Sequence, residues 1–463
     1  MKRIAIIGGG VSGLSAAYFL EKQKALGADL SHLLFEAGPG FGGVIQTERV
    51  NDFLVEAGPD SFLSEKPWAA ELCRELGLGN ELIPSNDAER RTYILVNGRL
   101  VPLPDGLAFM VPTDLAAAFF SRLFSWHTKL RMLREWFYRA SPDGPENTVA
   151  QFVERHYGRE MVERVADPLL AGVYGGSADE LSVTAVLPRF TEIEARQGSL
   201  GRAMVAARKL QSAPSRPIFT SLKNGMQSLA DALLAHIPDS ARRANAPVAA
   251  VRPESGKWLV SSNGRTEEFD AVILATPAYV AAEFLRGGVP QLSNELASIG
   301  YSSSMTVALA FDENVHASLP PGFGFLLPRI ERKRILACTF VHNKFSGRVP
   351  ANQVLLRCFL GGSRDDEVLR LPDREIELLV RRELRDILGI SAEPLFTRIH
   401  RWPKAMALYT LGHKARTERI RQIISAAPGL ALAGNAYSGI GVPDCVRSGS
   451  EAAAKVIADL RIA

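Results

Sequence analysis

Residues 3–13 read R-I-A-I-I-G-G-G-V-S-G and predict a buried strand that turns sharply into a helix. The apolar run Ile4–Ile7 suits a buried strand, and apolar residues at helical spacing follow the glycines. In such a turn Gly8 permits the tight bend, Gly10 lets the backbone approach a pyrophosphate, and Gly13 lets the helix pack closely on the strand. The helix N-terminus adds unpaired N–H groups and the positive end of its dipole. The stretch predicts either a dinucleotide site or a purely structural glycine turn.

A second strand and further glycines favour the dinucleotide site. The apolar run Leu33–Phe35 ends in Glu36, at the spacing at which a carboxylate accepts both hydroxyls of an adenosine ribose. Gly42-Gly43 follows, and Gly58-Pro59 comes later. No second G-x-G-x-x-G follows a strand elsewhere in the sequence. One dinucleotide site without a redox dithiol suggests a flavin oxidase whose electrons leave to oxygen or a quinone.

The composition sets broad limits on the class of protein. A chain of 463 residues is too long for one simple core, so we expect two or three domains. A formal net charge of +4 is slight for this length and argues against nucleic-acid binding. Four scattered cysteines predict a reducing compartment, with neither disulfides nor a metal site. The first strand begins at once, and no apolar run approaches the ~20 residues that span a bilayer, so we expect a cytoplasmic protein.

The nucleotide-binding signals are spread over three separate parts of the chain. The strand Ala271–Leu274 marks a second part, and the strand Leu430–Ala433, a glycine-rich turn and a final helix near Gly449–Leu460 mark a third. Between them, strand-like runs and one charged helix, Asp373–Leu388, predict a mixed sheet. We therefore expect an α/β fold in which a discontinuous Rossmann-like domain is interrupted by an inserted α+β substrate domain and a helical subdomain. The expected bounds are residues 1–65, 218–288 and 401–463 for the nucleotide-binding domain, 66–104 and 289–400 for the substrate domain, and 105–217 for the helical subdomain.

The helical subdomain contains an aromatic and basic segment at residues 107–139. Its members are Phe109, Phe119, Phe120, Phe124, Trp126, Trp136 and Phe137, with Arg122, Lys129, Arg131, Arg134 and Arg139 interleaved. This composition is typical of helices at a membrane interface, with aromatic rings in the headgroup region and cations near anionic lipid. It is also typical of amphipathic helices that pack their aromatic face on the protein's own core. Both interpretations stay open on the residues alone.

The C-terminal motif is the most specific feature of the chain. Residues 434–445 read G-N-A-Y-S-G-I-G-V-P-D-C, which resembles the closing motif of porphyrinogen oxidases. These are the protoporphyrinogen and coproporphyrinogen oxidases of the amine-oxidase-like flavoprotein superfamily. Further segments that fit the same family, in order along the whole chain, are 168–176, 181–182, 322–326, 401–403 and 412–413.

The resemblance implies non-covalent FAD, and together with the glycine turns it yields a set of candidate cofactor-binding residues. They are Gly8, Gly9, Gly10, Val11, Ser12, Gly13, Glu36, Ala37, Gly42, Gly43, Val44, Ala57, Gly58, Pro59, Asp60, Val248, Trp402, Gly434, Ile440, Gly441 and Val442. The turn at 434–443 suits the approach of backbone donors to the flavin, where they would stabilise the negative charge of its reduced form. Trp402 is either a neighbour of the flavin ring or an ordinary half-buried strand residue. The family usually has arginine at position 40, where this chain has Gly40, so phosphate binding here depends more on backbone dipoles.

The resemblance also implies a substrate and a reaction. The substrate is a porphyrinogen, either protoporphyrinogen IX or coproporphyrinogen III, from which one FAD removes six electrons in three hydride transfers, with O2 as the acceptor and H2O2 as the product. We nominate no catalytic side chain, because tautomerisation within the macrocycle can relocate its protons. The candidate substrate-binding residues are Arg91 for a propionate, the Gly172 carbonyl for pyrrole N–H groups, and Leu326 and Phe359 on the macrocycle faces. Arg91 is otherwise a surface residue, and Leu326 and Phe359 are otherwise core residues.

The rival functions come from two classes. One rival is another enzyme of the superfamily, an amine oxidase or a carotenoid-type desaturase, and the other is a flavin-binding scaffold of haem biosynthesis without turnover. A poorly soluble porphyrinogen favours peripheral membrane attachment of residues 107–139. The oligomeric state stays open, with a homodimer as one alternative.

Overall fold

A computed structural model describes residues 1–139, 146–210 and 217–462 of the chain. The chain divides into two compact units. The first contains Met1–Ser85, Pro217–Gly300 and Ala415–Ala463, and the second contains Asn86–Arg216 and Tyr301–Lys414. Residues 66–85 and 289–300, expected in the substrate domain, thus group with the first unit, as does Pro217, expected in the helical subdomain. Residues 401–414, expected in the nucleotide-binding domain, group with the second. The expected helical subdomain groups with the mixed sheet of the second unit, and its residues 140–145 and 211–216 lie outside the described residues.

The described residues form 22 strands. They are β1 (Lys2–Ile7), β2 (Leu30–Phe35), β3 (Thr47–Val50), β4 (Phe53–Glu56), β5 (Phe62–Leu63), β6 (Leu82–Pro84), β7 (Thr92–Val96), β8 (Arg99–Pro102), β9 (Leu107–Ala108), β10 (Val111–Pro112), β11 (Phe219–Leu222), β12 (Arg242–Arg243), β13 (Val248–Glu254), β14 (Lys257–Ser262), β15 (Arg265–Phe269), β16 (Ala271–Leu274), β17 (Tyr301–Phe311), β18 (Gly324–Leu326), β19 (Ala337–Phe340), β20 (Val354–Gly361), β21 (Phe396–Ala407) and β22 (Leu430–Leu432).

The same described ranges contain 17 α-helical segments. They are α1 (Val11–Ala25), α2 (Trp68–Glu75), α3 (Leu115–Phe120), α4 (Trp126–Glu135), α5 (Val149–Tyr157), α6 (Arg159–Met161), α7 (Asp167–Tyr174), α8 (Val183–Val186), α9 (Pro188–Gln197), α10 (Leu200–Leu210), α11 (Gln227–Ala235), α12 (Ala278–Leu285), α13 (Pro290–Ala297), α14 (Val341–Lys344), α15 (Asp373–Leu388), α16 (His413–Ser425) and α17 (Val442–Leu460). A π-helical turn at Val162–Ala166 joins α6 to α7. Short 3₁₀ turns occur at Gly79–Glu81, Asp87–Glu89, Asp239–Ala241, Glu313–Ser318, Arg329–Glu331 and Asp366–Arg370.

The first unit is built on a five-stranded parallel sheet with the order β12-β2-β1-β16-β22. Its strands come from all three separated parts of the chain, as the sequence predicts for a discontinuous nucleotide-binding domain. The central strand β1 is buried from Ile4 to Ile7, which suits a parallel sheet that is covered on both faces. Helices α1 and α17 pack closely, since a Cβ atom at Gly449 would lie 2.2 Å from the Ser12 carbonyl oxygen.

The second unit is built on a seven-stranded mixed sheet with the order β21-β17-β20-β19-β18-β7-β8. Strands β7 and β18 pair in parallel, and the other neighbours pair antiparallel. One face of the sheet packs on α15, where Val307 and Leu356 belong to the same buried cluster as Ile376 and Val380. That face forms a core of the second unit. Candidate site residues lie on the opposite face of the sheet.

A buried polar cluster joins four helices of the second unit. The His156 ring on α5 lies 3.1 Å from the Glu135 carboxylate on α4 and 3.1 Å from the Glu194 carboxylate on α9. Glu135 also accepts hydrogen bonds from the Ser199 hydroxyl (3.0 Å) and from the Leu200 N–H (2.7 Å) at the start of α10. Burial disfavours a charged imidazole, but the two carboxylates outweigh it and raise the pKa of His156 above its ordinary value.

None of the helices in residues 1–139, 146–210 and 217–462 is both long and apolar enough to cross a bilayer.

Candidate active site

The first glycine turn of the first unit has the geometry that its sequence predicts. Gly8 has φ +109°, and its N–H donates to the Phe35 carbonyl at 2.8 Å. A Cβ atom at Gly8 would lie 2.6 Å from the Ala275 carbonyl oxygen, and one at Gly13 would lie 1.9 Å from the Gly8 oxygen. Both positions therefore require glycine for the packing of strand and helix.

Gly10 differs from these two glycines, because the space above it is open. It is the N-cap residue of α1, with the ordinary extended angles φ −72° and ψ 178°, and no side chain of the described residues caps it. A Cβ atom at Gly10 would meet nothing within 4 Å. The first N–H groups of α1, beginning at Val11, are left without partners inside the helix. The turn thus presents an open cradle in front of a helix N-terminus, which suits a phosphate group.

Glu36 is fixed beside this cradle. One oxygen of its carboxylate accepts the Gly9 N–H at 2.7 Å, and the other accepts the Gly38 N–H at 2.8 Å. An ionised carboxylate has about four acceptor positions, so two remain for the hydroxyls of a ribose. Ala37, the next residue, is exposed.

The second glycine pair is brought against the first turn. The Gly42 N–H donates to the Gly9 carbonyl at 2.8 Å, and a Cβ atom at Gly43 would lie 3.2 Å from the Gly10 Cα. Val44 is 43% exposed, and a Cβ atom at Gly58 would lie 1.8 Å from its carbonyl oxygen. The structure therefore brings residues 42–44 and 58 around the cradle, although they are distant in sequence.

The remaining cofactor candidates of the first unit occupy strand ends and the C-terminal turn. Ala57 is buried and leads into the half-buried Pro59 and Asp60, and Val248 is the buried first residue of β13. Gly434 has φ +132°, and its N–H donates to the Ser448 hydroxyl at 3.1 Å. Ile440 is half-buried, Gly441 is the N-cap of α17, and Val442 is its first residue.

The start of the last helix differs from the prediction. The helix begins at Val442 and not near Gly449, so the glycine-rich turn leads directly into a helix N-terminus. Gly449 lies inside the helix, at the crossing with α1, and the residue there is glycine because the crossing leaves no room for a side chain. Cys445 in the first turn is buried, and burial raises the pKa of its thiol to about 12. Such a thiol is a poor nucleophile, which argues against a cysteinyl flavin at this position.

In the second unit, the register of the mixed sheet brings two substrate candidates onto one face. Leu326 pairs with Ala337, and Ala337 pairs with Phe359. Residues that pair directly across strands project to the same side of a sheet, so Leu326 and Phe359 lie on one face. Their strands are two strand spacings apart, which is about 10 Å. The same row continues through Thr306 to His400. These residues lie opposite the face that packs on α15.

Trp402 and two arginines belong to this same face. Ala308 pairs with both Arg357 and Arg398, and Trp402 lies on β21 at a position of the same parity as Arg398. Arg357 is buried, and its guanidinium lies 4.8 Å from the centre of the Phe359 ring. The face therefore combines apolar and aromatic side chains with cations. Arg357 was missed by the sequence analysis, although an arginine within the apolar strand V-L-L-R-C-F-L was a visible signal.

Two further substrate candidates lie outside this row. Arg91 is exposed and directly precedes β7, and its carbonyl accepts the Phe323 N–H at 2.8 Å. Gly172 is exposed in the last turn of α7, where a Cβ atom would meet nothing within 4 Å. A helix leaves the carbonyl groups of its last turn without partners inside itself. All candidate cofactor-binding residues except Trp402 lie in the first unit, and Trp402 lies in the second with the substrate candidates.

Comparison with known proteins identifies the family. The pattern of the flavin containing amine oxidoreductases matches residues 11–457. The chain belongs to this flavin-dependent family. Coproporphyrinogen III oxidase of Bacillus subtilis is 33% identical over 459 residues, which cover 97% of each chain. Protoporphyrinogen oxidase 2 of Arabidopsis thaliana is 30% identical and covers 99% of this chain and 94% of its own.

A solved structure supports the same assignment. A protein of Exiguobacterium sp. 255-15, assigned as a protoporphyrinogen oxidase, matches with a TM-score of 0.88 at 30% identity over 99% of both chains. This chain is thus a member of the coproporphyrinogen III and protoporphyrinogen oxidase family of flavoproteins, and it is an FAD-dependent oxidase. The family and the cofactor that the C-terminal motif predicts are confirmed.

Proposed function

We propose that this chain is a porphyrinogen oxidase that converts coproporphyrinogen III or protoporphyrinogen IX to the porphyrin. The observation that carries the proposal is the sheet face of the second unit, where Leu326, Phe359 and Trp402 share a surface with Arg357 and Arg398. A broad apolar face suits the macrocycle, and the cations suit its carboxylate side chains. An amine oxidase would instead have to bring a cationic amine to a face that already carries two guanidinium groups. The charge of the face therefore favours an acidic tetrapyrrole over an amine.

The same proposal places FAD along the first unit, which would act as the FAD-binding domain around an inserted substrate domain. The open space at Gly10 fits the pyrophosphate, the fixed Glu36 carboxylate fits the ribose hydroxyls, and the backbone of Val248 suits an adenine edge. The N-terminus of α17, from Ile440 to Val442, would face the flavin ring. Bound FAD would supply a hydride acceptor, used three times for each porphyrin and reoxidised by O2.

The residues of the chain would then bind and orient the substrate. The apolar side chains would bind the macrocycle and exclude water from it, and the Gly172 carbonyl would accept hydrogen bonds from pyrrole N–H groups. No side chain needs to act as an acid or a base. We further propose that coproporphyrinogen III is preferred, because its four propionates offer more partners to the arginines than the two of protoporphyrinogen IX do.

The test is to offer both porphyrinogens in air to the purified protein and to follow porphyrin fluorescence and peroxide release. We expect three peroxides for each porphyrin and a higher kcat/KM for coproporphyrinogen III. Arg398→Gln should reduce kcat/KM more for coproporphyrinogen III than for protoporphyrinogen IX, with FAD content unchanged. Absence of porphyrin formation from a flavin-loaded protein would refute the proposed function. An equal loss for both substrates would contradict the role of the propionates.

We also propose that helices α3 and α4 contact a membrane surface from the cytoplasmic side. Phe120, Trp126 and Phe137 are 83%, 67% and 80% exposed, whereas Phe124 is 4% exposed and packs inside the protein. Lys129 lies 5.1 Å from the Trp126 ring, which places a cation beside the exposed aromatics. Exposed aromatic rings with neighbouring cations suit the interface of an anionic bilayer.

Co-sedimentation with phosphatidylglycerol vesicles tests this contact. Replacing Phe120, Trp126 and Phe137 by serine should abolish sedimentation with the vesicles. The matched control replaces Ile330 and Leu395, which are 65% and 50% exposed in the same unit, by serine and should have no effect. Equal sedimentation of the two variants would refute the assignment of this surface.

A further inference from the structure

An ion pair with a buried carboxylate lies at the N-terminus of α17 in the first unit. The Lys66 Nζ lies 2.6 Å from the Asp444 Oδ2, and the Asp444 side chain is only 4% exposed, whereas that of Lys66 is 37% exposed. The same carboxylate oxygen accepts the Gly441 N–H at 3.2 Å. The two charged residues are 378 positions apart in sequence, so no local pattern predicts their contact.

The Asp444 carboxylate also shapes the turn that precedes the helix. Gly439 has φ +126°, and a Cβ atom there would lie 2.3 Å from the Asp444 Cγ, so the turn passes directly over the carboxylate. Arg447 donates to the Ser438 carbonyl at 2.9 Å and lies 3.8 Å from the Asp444 Oδ1. Residues 438–441 are thus held to Asp444 by a steric contact, a hydrogen bond and a neighbouring cation.

We propose that Lys66 and Asp444 are positioning residues that set both the shape and the electrostatic potential of the 434–442 turn where it faces the flavin. This inference rests on the proposed placement of the flavin ring at that turn. A carboxylate in the first turn of a helix opposes the positive potential of the helix N-terminus. The Lys66 cation offsets the carboxylate, so the helix dipole remains effective towards negative charge on the reduced flavin.

The charges predict opposite effects of the two single substitutions. Lys66→Met removes the closer of the two cations beside Asp444 and leaves Arg447 at 3.8 Å, so the turn becomes more negative and the flavin should become harder to reduce. Asp444→Asn leaves the positive charge of Lys66 and should make the flavin easier to reduce. The double variant removes both charges and should return towards the wild-type value. We expect each single substitution to change the reduced-to-oxidised ratio at a fixed potential about tenfold, which is about 30 mV for a two-electron couple.

The other end of α17 supplies a matched control. The Lys455 Nζ lies 2.6 Å from the Asp459 Oδ2, and this carboxylate accepts a glycine N–H, that of Gly429, at 2.9 Å. The control pair therefore repeats the ion-pair distance and the glycine N–H contact of the Lys66–Asp444 pair. It lies about 22 Å further along the helix. This distance exceeds the Debye length of ~8–10 Å at moderate ionic strength, so its charges should be screened from the flavin. Lys455→Met and Asp459→Asn should leave the flavin potential unchanged.

The experiment measures the FAD content and the flavin midpoint potential of the wild-type holoenzyme and of all five variants. Shifts of opposite sign for Lys66→Met and Asp444→Asn, with unchanged controls, would support the inference. Shifts of the same sign, or none in FAD-loaded protein, would overturn it. If Lys66→Met does not fold, a raised potential in Asp444→Asn that the double variant reverses still decides the sign. Wild-type protein that takes up no FAD would instead refute the proposed function.

Discussion

The substitution Gly10→Ala separates cofactor binding from folding in the first unit. Its new methyl group would meet no protein atom within 4 Å, and the φ of −72° at this position is ordinary for alanine. The cost to the fold is limited to the weaker N-cap preference of alanine, about 0.5–1 kcal/mol. The methyl group would, however, occupy the space through which the pyrophosphate approaches the N–H groups of α1.

The loss of FAD affinity can be estimated from the bonds that the methyl group blocks. Two hydrogen bonds to a charged acceptor are worth about 1.5–3 kcal/mol each, so binding should weaken by about 3–6 kcal/mol, or 10²- to 10⁴-fold. The assay titrates apo-protein with FAD by fluorescence quenching and records thermal unfolding of the same apo-protein. Gly13→Ala is the contrasting variant, since its methyl group would collide with the Gly8 oxygen at 1.9 Å and should destabilise the apo-protein itself. An FAD dissociation constant for Gly10→Ala within threefold of wild type would refute the placement of the pyrophosphate.

Two further predictions concern charge. Gly40 is exposed, and a Cβ atom there would meet nothing within 4 Å, so a side chain fits at this position. Gly40→Arg restores the cation usual in the family and should tighten FAD binding about tenfold at low salt, whereas the uncharged Gly40→Gln should leave FAD binding unchanged. An equal effect of the two variants would show that charge is not the cause. Glu135 and Glu194, the latter also paired with Arg155, raise the pKa of His156 in the folded protein. The protonated imidazole therefore stabilises the fold fully below the unfolded-state pKa of about 6.5, and this stabilisation is lost as the pH rises through the folded-state pKa. The difference in Tm between wild type and His156→Gln should therefore shrink from pH 6 to pH 9, and a constant or growing difference would contradict this origin of the stability.

The elements that the sequence predicts well are those whose ends carry their own signals. The bounds of Ala271–Leu274 and Asp373–Leu388 are the same in prediction and structure, because turn residues or prolines flank compact apolar or periodic runs. The predicted start of α17, near Gly449, was wrong. This glycine allows α17 to pack closely on α1, a contact that only the tertiary structure reveals.

The parts of the candidate site that the sequence does not predict depend on tertiary contacts. The pairing of Leu326 with Phe359 through Ala337 requires the strand register, which no single stretch encodes. Likewise, the aromatic segment contains both the exposed Phe120 and the buried Phe124, and its composition alone cannot separate them. Local turns and motifs are therefore readable from the sequence, whereas the face that meets the substrate is not.

The most direct test is to add coproporphyrinogen III to the purified, flavin-loaded protein in the absence of oxygen and to follow the visible absorbance of the flavin. We predict that the yellow colour bleaches, and that it returns on admission of air as porphyrin accumulates. A protein that takes up no FAD, or whose flavin stays oxidised with this substrate and with protoporphyrinogen IX, would contradict the account.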